Sequence, residues 1–147
     1  STVSGLLTLG GELYANGYWA GNIQTLGRWN GADFTPLGGT ISGGVQILHA
    51  LGAYGGQPVM GGSFTSVGGT PAANIARWNR TADAWSSLGS GIAYPGGASV
   101  VHALVLHDGR LYAGGQPGRI ALMRLLAAAS IQWPRWFGLA DCGLPSG

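Results

Sequence analysis

The feature that most constrains this sequence is an internal repeat built around a hairpin pattern. An apolar run, a two-residue turn and a second apolar run occur three times along the chain. The three turns are Gly10-Gly11, Gly55-Gly56 and Asp108-Gly109. These dipeptides accept the positive φ angles that a tight type I′ turn requires at both central positions. The sequence therefore predicts three β-hairpins at equivalent places.

A second landmark follows each of the first two hairpins and sets the length of the repeat. Arg28-Trp29-Asn30 recurs as Arg77-Trp78-Asn79, and Phe34 recurs as Trp85. The spacing gives a period of about fifty residues, which is typical of stacked repeat architectures. The one complete unit, roughly residues 45–92, contains two hairpin strands, a Gly/Ser/Thr-rich loop and two further strands, which predicts a four-stranded antiparallel meander. Such a sheet buries its faces by packing on copies of itself.

This repeat resembles that of kelch-type β-propellers, in which a hydrophobic strand ends in a glycine pair and two spaced aromatic residues follow. Val59-Met60-Gly61-Gly62 with Trp78 and Trp85 matches this order. The stretches over 62–69 and 75–79 resemble a variant found in bacterial surface proteins. The resemblance implies an all-β fold of antiparallel four-stranded blades from a partial kelch-like β-propeller, and it favours an extracellular or cell-surface location. It also assigns structural repeat positions, namely Gly61, Gly62, Trp29, Trp78, Trp85, Gly114 and Gly115.

The repeats are predicted to occupy residues 1–115, with units at about 3–44, 45–98 and 99–115, of which the last is partial. A closed propeller has about four to eight blades, so these units leave sheet edges open to pairing with another chain. We therefore expect a fragment of a longer propeller, a subunit that completes a ring with copies of itself, or a protomer of an open assembly. The tail over 116–147 departs from the repeat, and its Ala/Leu content predicts a helix over 119–130.

The composition excludes several classes of protein. Gly and Pro supply 29 and 7 of the 147 residues, which rules out a helical bundle. Charged residues make up 8% of the chain, and the arginines are dispersed without any lysine, so we predict no nucleic-acid partner. No apolar stretch reaches the length of a membrane span. The single Cys142 excludes an internal disulfide.

The polar residues do not form a recognisable catalytic pattern. Four of the five acidic residues lie in or beside predicted turns, which leaves no carboxylate pair for acid/base chemistry. His49 and His102 are repeat equivalents and are expected to be structural, and a metal site formed with His107 is the alternative. Some kelch-type propellers are copper radical oxidases whose site resembles two Tyr and two His with a Tyr–Cys link, but Cys142 lies outside the repeats. We therefore predict no catalytic, cofactor-binding or metal-binding residues.

The predicted function is that of a non-catalytic repeat protein acting through self-association, as a homo-oligomer or polymer, and through loop-mediated binding of a partner or ligand. Tyr18 and Trp19 are predicted to follow a strand in a loop, without an equivalent in the second unit, and exposed aromatics at a loop can anchor partners. The candidate contact residues are Tyr18, Trp19, Ser63, Phe64 and Thr65. The alternatives are a structural subunit of an extracellular assembly or filament, and a carbohydrate-binding module.

Overall fold

The computed structural model describes residues 2–89, 91–92, 99–116, 119–126 and 130–137, with side chains as far as residue 115. The described residues form β-strands and no helix, which confirms the all-β prediction. The chain begins with a four-stranded antiparallel meander, the first sheet, in which each strand pairs with the next. Its strands are β1 (Thr2–Leu9), β2 (Glu12–Trp19), β3 (Ile23–Trp29) and β4 (Phe34–Pro36).

The next seven strands form the second sheet and a small sheet beside it. In chain order they are β5 (Ile41–Ser42), β6 (Ile47–Tyr54), β7 (Gln57–Ser63), β8 (Ser66–Val67), β9 (Thr70–Pro71), β10 (Ile75–Asn79) and β11 (Ala84–Ser87). The second sheet consists of β6, β7, β10 and β11, and it is the antiparallel meander that the sequence predicts for this unit. The long loop between β7 and β10 contributes β8 and β9, which join β5 in a three-stranded sheet.

The third sheet corrects the prediction made for the tail. It contains β12 (Val100–His107), β13 (Arg110–Gln116), β14 (Arg119–Leu126) and β15 (Ser130–Phe137), again as an antiparallel meander. The prediction of a helix over 119–130 is wrong, because residues 119–126 form β14 and Ser130 begins β15. Residues 127–129 lie outside the described residues. Helix propensities differ by less than about 1 kcal/mol per residue for most residue types. Pairing with β14 satisfies backbone groups that β13 would otherwise leave free at its edge.

The tight turns have the backbone geometry that the sequence predicts. All six central residues of the three hairpin turns have positive φ angles, at Gly10 (58°), Gly11 (78°), Gly55 (59°), Gly56 (73°), Asp108 (51°) and Gly109 (71°). Most side chains clash with their own backbone in this region, which is why glycine and aspartate are found there. The prediction of three equivalent hairpins is therefore confirmed.

Each of the three large sheets also has a β-bulge near the start of its first strand. The pairing register shifts between Val3 and Gly5, between Leu48 and Ala50, and between Val101 and Ala103. The extra residues at these shifts are Ser4, His49 and His102. A bulge redirects the side chain of the extra residue and increases the local twist. These three side chains therefore occupy equivalent places in successive sheets.

The glycine pairs lie opposite the bulges and have a steric explanation. A β-carbon added to Gly62 would clash with the carbonyl oxygen of Ile47, and one added to Gly115 would clash with the corresponding carbonyl oxygen in the third sheet. The first glycine of the pair has a different neighbour, because a β-carbon on Gly61 would lie 2.6 Å from Val101 Cγ1. At Gly114, the equivalent of Gly61, no described atom lies within 4 Å of the added carbon.

The three large sheets pack on one another in chain order through two hydrophobic cores. The first core, between the first and second sheets, includes Tyr14, Leu26, Leu37, Leu48, Met60, Phe64, Trp78 and Trp85. The second core, between the second and third sheets, includes Ala50, Tyr54, Val59, Val101, Leu111 and Ala113. Trp78 and Trp85 meet edge to face with ring centroids 5.2 Å apart. Trp85 Nε1 donates a hydrogen bond of 3.1 Å to the Leu37 carbonyl oxygen, which ties the second sheet to the first.

Candidate functional site

The main candidate site is the pair of sheet faces at the two ends of this arrangement. The leading face is the side of the first sheet turned away from the second sheet, and it carries Val3, Leu6, Trp29 and Phe34. Val3 is 46% exposed and Trp29 is 42% exposed. Their repeat equivalents in the second sheet, Leu48 and Trp78, are each 3% exposed because they pack against the first sheet. The leading face thus exposes positions that are core positions one repeat later.

The trailing face is the side of the third sheet turned away from the second sheet, and it carries Ala103, Val105, Tyr112 and Gly114. Val105 is 58% exposed and Ala103 is also exposed, whereas Ala50, the equivalent of Ala103, is buried in the second core. Tyr112 is half-buried, whereas its equivalent Tyr14 is fully buried in the first core. The trailing face therefore also exposes positions that are buried in the preceding sheets.

An apolar cleft of about 610 Å³ opens on the leading face. Its lining residues are Val3, Trp19, Ala20, Ile23, Asp33, Phe34 and Pro36. Trp19 and Phe34 stack with ring centroids 5.5 Å apart, and Trp19 Nε1 donates to the Thr25 carbonyl oxygen at 3.1 Å. In the second repeat the equivalents of Trp19 and Phe34 are Phe64 and Trp85, and both lie in the first core. The cleft therefore occupies the place where a preceding sheet would pack.

The contact residues predicted from the sequence differ in their exposure. Tyr18 is 44% exposed and Thr65 is exposed, so both present side chains at the surface. Trp19, Ser63 and Phe64 are buried, and a ligand would reach the Phe64 ring only if the first core opened. The pairing registers make Tyr18 and Trp19 the equivalents of Ser63 and Phe64, and both lie in β2. This corrects the expectation that they lie in a loop without an equivalent in the second unit.

A polar cleft of about 290 Å³ lies between the hairpins of the first and second sheets. The Glu12 carboxylate accepts hydrogen bonds from Arg80 Nε at 3.0 Å and from the Tyr14 hydroxyl, and Arg80 Nη2 lies 2.8 Å from it. The Tyr14 hydrogen bond, helped by Arg80 and opposed by partial burial, lowers the pKa of Glu12. Burial and the bond to Glu12 raise the pKa of Tyr14. These groups form an ion pair between sheets, which sequence spacing did not indicate because Glu12 and Arg80 come from different repeats.

The structure brings two of the three histidines together. His49 and His102 are exposed, and their ring centroids lie 4.6 Å apart with the planes inclined by 46°. Partial burial, followed by the charge of His102, lowers the pKa of His49. His107 lies at the opposite end of β12, where its Nε2 is 3.4 Å from the Asp108 carboxylate. The three-histidine arrangement considered from the sequence is therefore not formed, and Cys142 lies outside the described residues.

Comparisons with known proteins do not assign the chain to a family. No family model and no curated protein sequence matches it. Within the part of the chain that the structure describes, no cluster of three or more His, Cys, Asp or Glu side chains is placed to hold a metal ion. The same residues contain no helix long and apolar enough to cross a membrane.

Proposed function

We propose that this chain is a non-catalytic repeat protein whose four-stranded sheets are blades of a kelch-like β-propeller, and that it self-associates through its leading and trailing faces. One observation carries the proposal: equivalent positions are buried where a neighbouring sheet is present and exposed where it is absent. Leu6 on the leading face is 64% exposed, while its equivalents Leu51 and Leu104 pack against the first and second cores. A second copy placed head to tail would bury Leu6 in the same way.

The internal interfaces indicate how two copies would fit. At the interface between the second and third sheets, Val101 packs over Gly61, which has no β-carbon to clash with the valine side chain. Val3 is the equivalent of Val101, and Gly114 is the equivalent of Gly61. Val3 of one copy would therefore pack over Gly114 of the next, which repeats an apolar contact that the chain already makes internally.

This contact joins two different surfaces, so copies associate head to tail. Interfaces of this type close into rings or continue as filaments, depending on the rotation between copies. Two copies supply six four-stranded sheets, which falls within the range of about four to eight blades in closed propellers. A two-copy ring is therefore the expected assembly. A filament built by the same contact is the second candidate, a structural subunit of a larger assembly.

The oligomeric state tests this proposal. Sedimentation equilibrium of the purified chain is expected to give twice the mass of 14.9 kDa. Leu6→Glu and Val105→Glu each place a charge on one face at an exposed position, so both variants are expected to be folded monomers. Val45→Glu is the matched control, because Val45 is 62% exposed and lies in the loop before β6.

The outcomes separate the alternatives. Restored association in Leu6→Glu combined with Val105→Arg would support direct contact between the two faces. Regular filaments in electron micrographs would support the structural-subunit alternative. A wild-type monomer at millimolar concentration would overturn self-association, and equal loss of association in Val45→Glu would overturn the assignment of the faces.

Binding of a partner or ligand beside the loops is the second part of the proposal, and Tyr18, which lies in β2 close to the turn that follows it, supports it. Its ring is 44% exposed, and its hydroxyl donates a 2.7 Å hydrogen bond to Asn22 Oδ1, which holds the ring in place. Such a ring is suited to stacking on a sugar, the contact expected of a carbohydrate-binding module. A glycan array probed with the wild type should give binding that Tyr18→Ala loses and Val45→Ala keeps. No binding by the wild type would remove the carbohydrate alternative.

A further inference from the structure

The two bulge histidines form a pair that neither the hydrophobic cores nor the proposed faces require. His49 is the extra residue of the bulge in β6, and His102 is the extra residue of the equivalent bulge in β12. Both side chains are exposed, and neither belongs to a core cluster. Because β6 and β12 pack side by side, the equivalent bulges bring two imidazoles from residues distant in sequence to a centroid distance of 4.6 Å.

The surroundings of this pair leave the ring nitrogens available. Among the described residues, no hydrogen bond or ion pair involves either ring, and no carboxylate charge acts on His49. Partial burial and the neighbouring imidazole lower the pKa of His49, which favours the neutral form of this ring. A neutral imidazole has a free lone pair and binds Zn²⁺, Cu²⁺ and Ni²⁺ in proteins.

The distance between the rings also fits a shared metal ion. With Zn–N bonds of about 2.0–2.1 Å and tetrahedral angles, two imidazoles on one ion have ring centroids roughly 5 Å apart. The observed 4.6 Å is within a small side-chain adjustment of this value. Ser4, the equivalent bulge residue of the first sheet, donates its hydroxyl to the Asn16 carbonyl oxygen at 3.4 Å. The described residues supply no third ligand, so water would complete the coordination shell.

We propose that His49 and His102 together bind one divalent transition-metal ion that prefers imidazole ligands, with Zn²⁺ as the probe. The ion would bridge the second and third sheets at their equivalent bulges. Because only two protein ligands hold it, the ion would exchange readily with solvent.

Titration of the full chain with Zn²⁺ tests this site at the level of single residues. Imidazole Hε1 signals in NMR spectra at pH 7.5 should shift for His49 and His102 together, with saturation at one ion per chain. His49→Gln and His102→Gln should each weaken Zn²⁺ binding at least tenfold in calorimetry. His107→Gln is the matched control, because His107 lies at the far end of β12, and it should bind as the wild type does.

A second measurement separates metal binding from folding. The melting temperature without metal should be the same within about 2 °C for the wild type, His49→Gln and His102→Gln, because both positions are exposed. Added Zn²⁺ should raise it only where both histidines are present. The proposal is overturned if Zn²⁺ up to 1 mM leaves both signals unshifted, if His107 responds equally, or if either glutamine variant keeps wild-type affinity. The Zn²⁺ titration does not depend on self-association, because it can be repeated on the Leu6→Glu variant. That variant is expected to be monomeric and retains both histidines.

Discussion

Substituting Gly62 by alanine tests whether the bulge in the second sheet requires the glycine pair. Gly62 pairs with Leu48, next to the extra residue His49. The new β-carbon would clash with the Ile47 carbonyl oxygen, and it would lie 2.9 Å from the carbonyl carbon and 3.0 Å from Leu48 Cα. All of these atoms belong to the backbone, so no side-chain rotation relieves the overlap. The strands β6 and β7 must therefore move apart at the bulge.

The magnitude follows from the contacts that this movement weakens. Separation weakens the backbone hydrogen bonds beside the bulge, each of which contributes about 1 kcal/mol. Strain from an overpacked interior site adds roughly 1–3 kcal/mol. We expect the free energy of unfolding to fall by about 2–4 kcal/mol and the melting temperature to fall by roughly 5–15 °C. Urea unfolding followed by tryptophan fluorescence measures the change, because Trp78 and Trp85 are buried in the first core.

Gly114→Ala is the matched control for this experiment. Gly114 also lies near the end of a hairpin strand, its φ is not positive, and no described atom lies within 4 Å of an added β-carbon. In the Leu6→Glu background, which is expected to be monomeric so that no second copy packs on Gly114, the free energy of unfolding should change by no more than about 0.5 kcal/mol. Equal effects of Gly62→Ala and Gly114→Ala would refute the steric explanation of the glycine pair.

Three other contacts give expected outcomes of their own. Phe64→Ala should lower the free energy of unfolding by about 3–5 kcal/mol, while Tyr18→Ala should change it by less than about 1 kcal/mol in the same urea titration; equal losses would contradict their different burial. The pKa of Glu12 is lower in the folded state than in the unfolded state, so the ionised carboxylate stabilises the fold. This contribution is complete above pH 4.5 and is lost as the pH falls through the folded-state pKa. The melting temperature of Glu12→Gln should therefore depend less on pH in that range than that of the wild type. The lowered pKa of His49 means that the unfolded chain binds more protons, so stability should decrease as the pH falls below 6.5, and His49→Gln should lack this component. An unchanged pH profile in either variant would contradict the corresponding assignment.

The sequence was most informative where one local conformation decided the outcome. Gly10-Gly11 and Asp108-Gly109 predicted tight turns because few other dipeptides adopt the positive φ angles that the structure shows there. The segment over 119–130 was predicted as a helix because its Ala/Leu content favours one locally. Pairing with β13 decides its conformation instead, and that partner is not visible in the composition of the segment.

The candidate site was less predictable because it depends on contacts between repeats. Trp29 and Trp78 are the same residue type at the same repeat position, so the sequence cannot distinguish the exposed one from the buried one. The sequence placed Phe64 in the Gly/Ser/Thr-rich loop over 63–73, which indicated a surface contact, yet packing against the first sheet buries it. The spacing made His49 and His102 equivalents, but their proximity required two bulges in neighbouring sheets.

The difference between the leading and trailing faces gives the chain a polarity. In the proposed head-to-tail association, a variant such as Leu6→Glu would keep an intact trailing face, so it would still accept the leading face of a wild-type chain while offering no leading face to the next one. In a growing filament, a small fraction of such variants would terminate one end and shorten every polymer. In a two-copy ring, the same variant would yield an incomplete pair. Duplication of an internal unit would lengthen the chain and leave the same two faces at its ends, so under the proposed association a change in repeat number would alter the size of the particle while keeping the contact between copies.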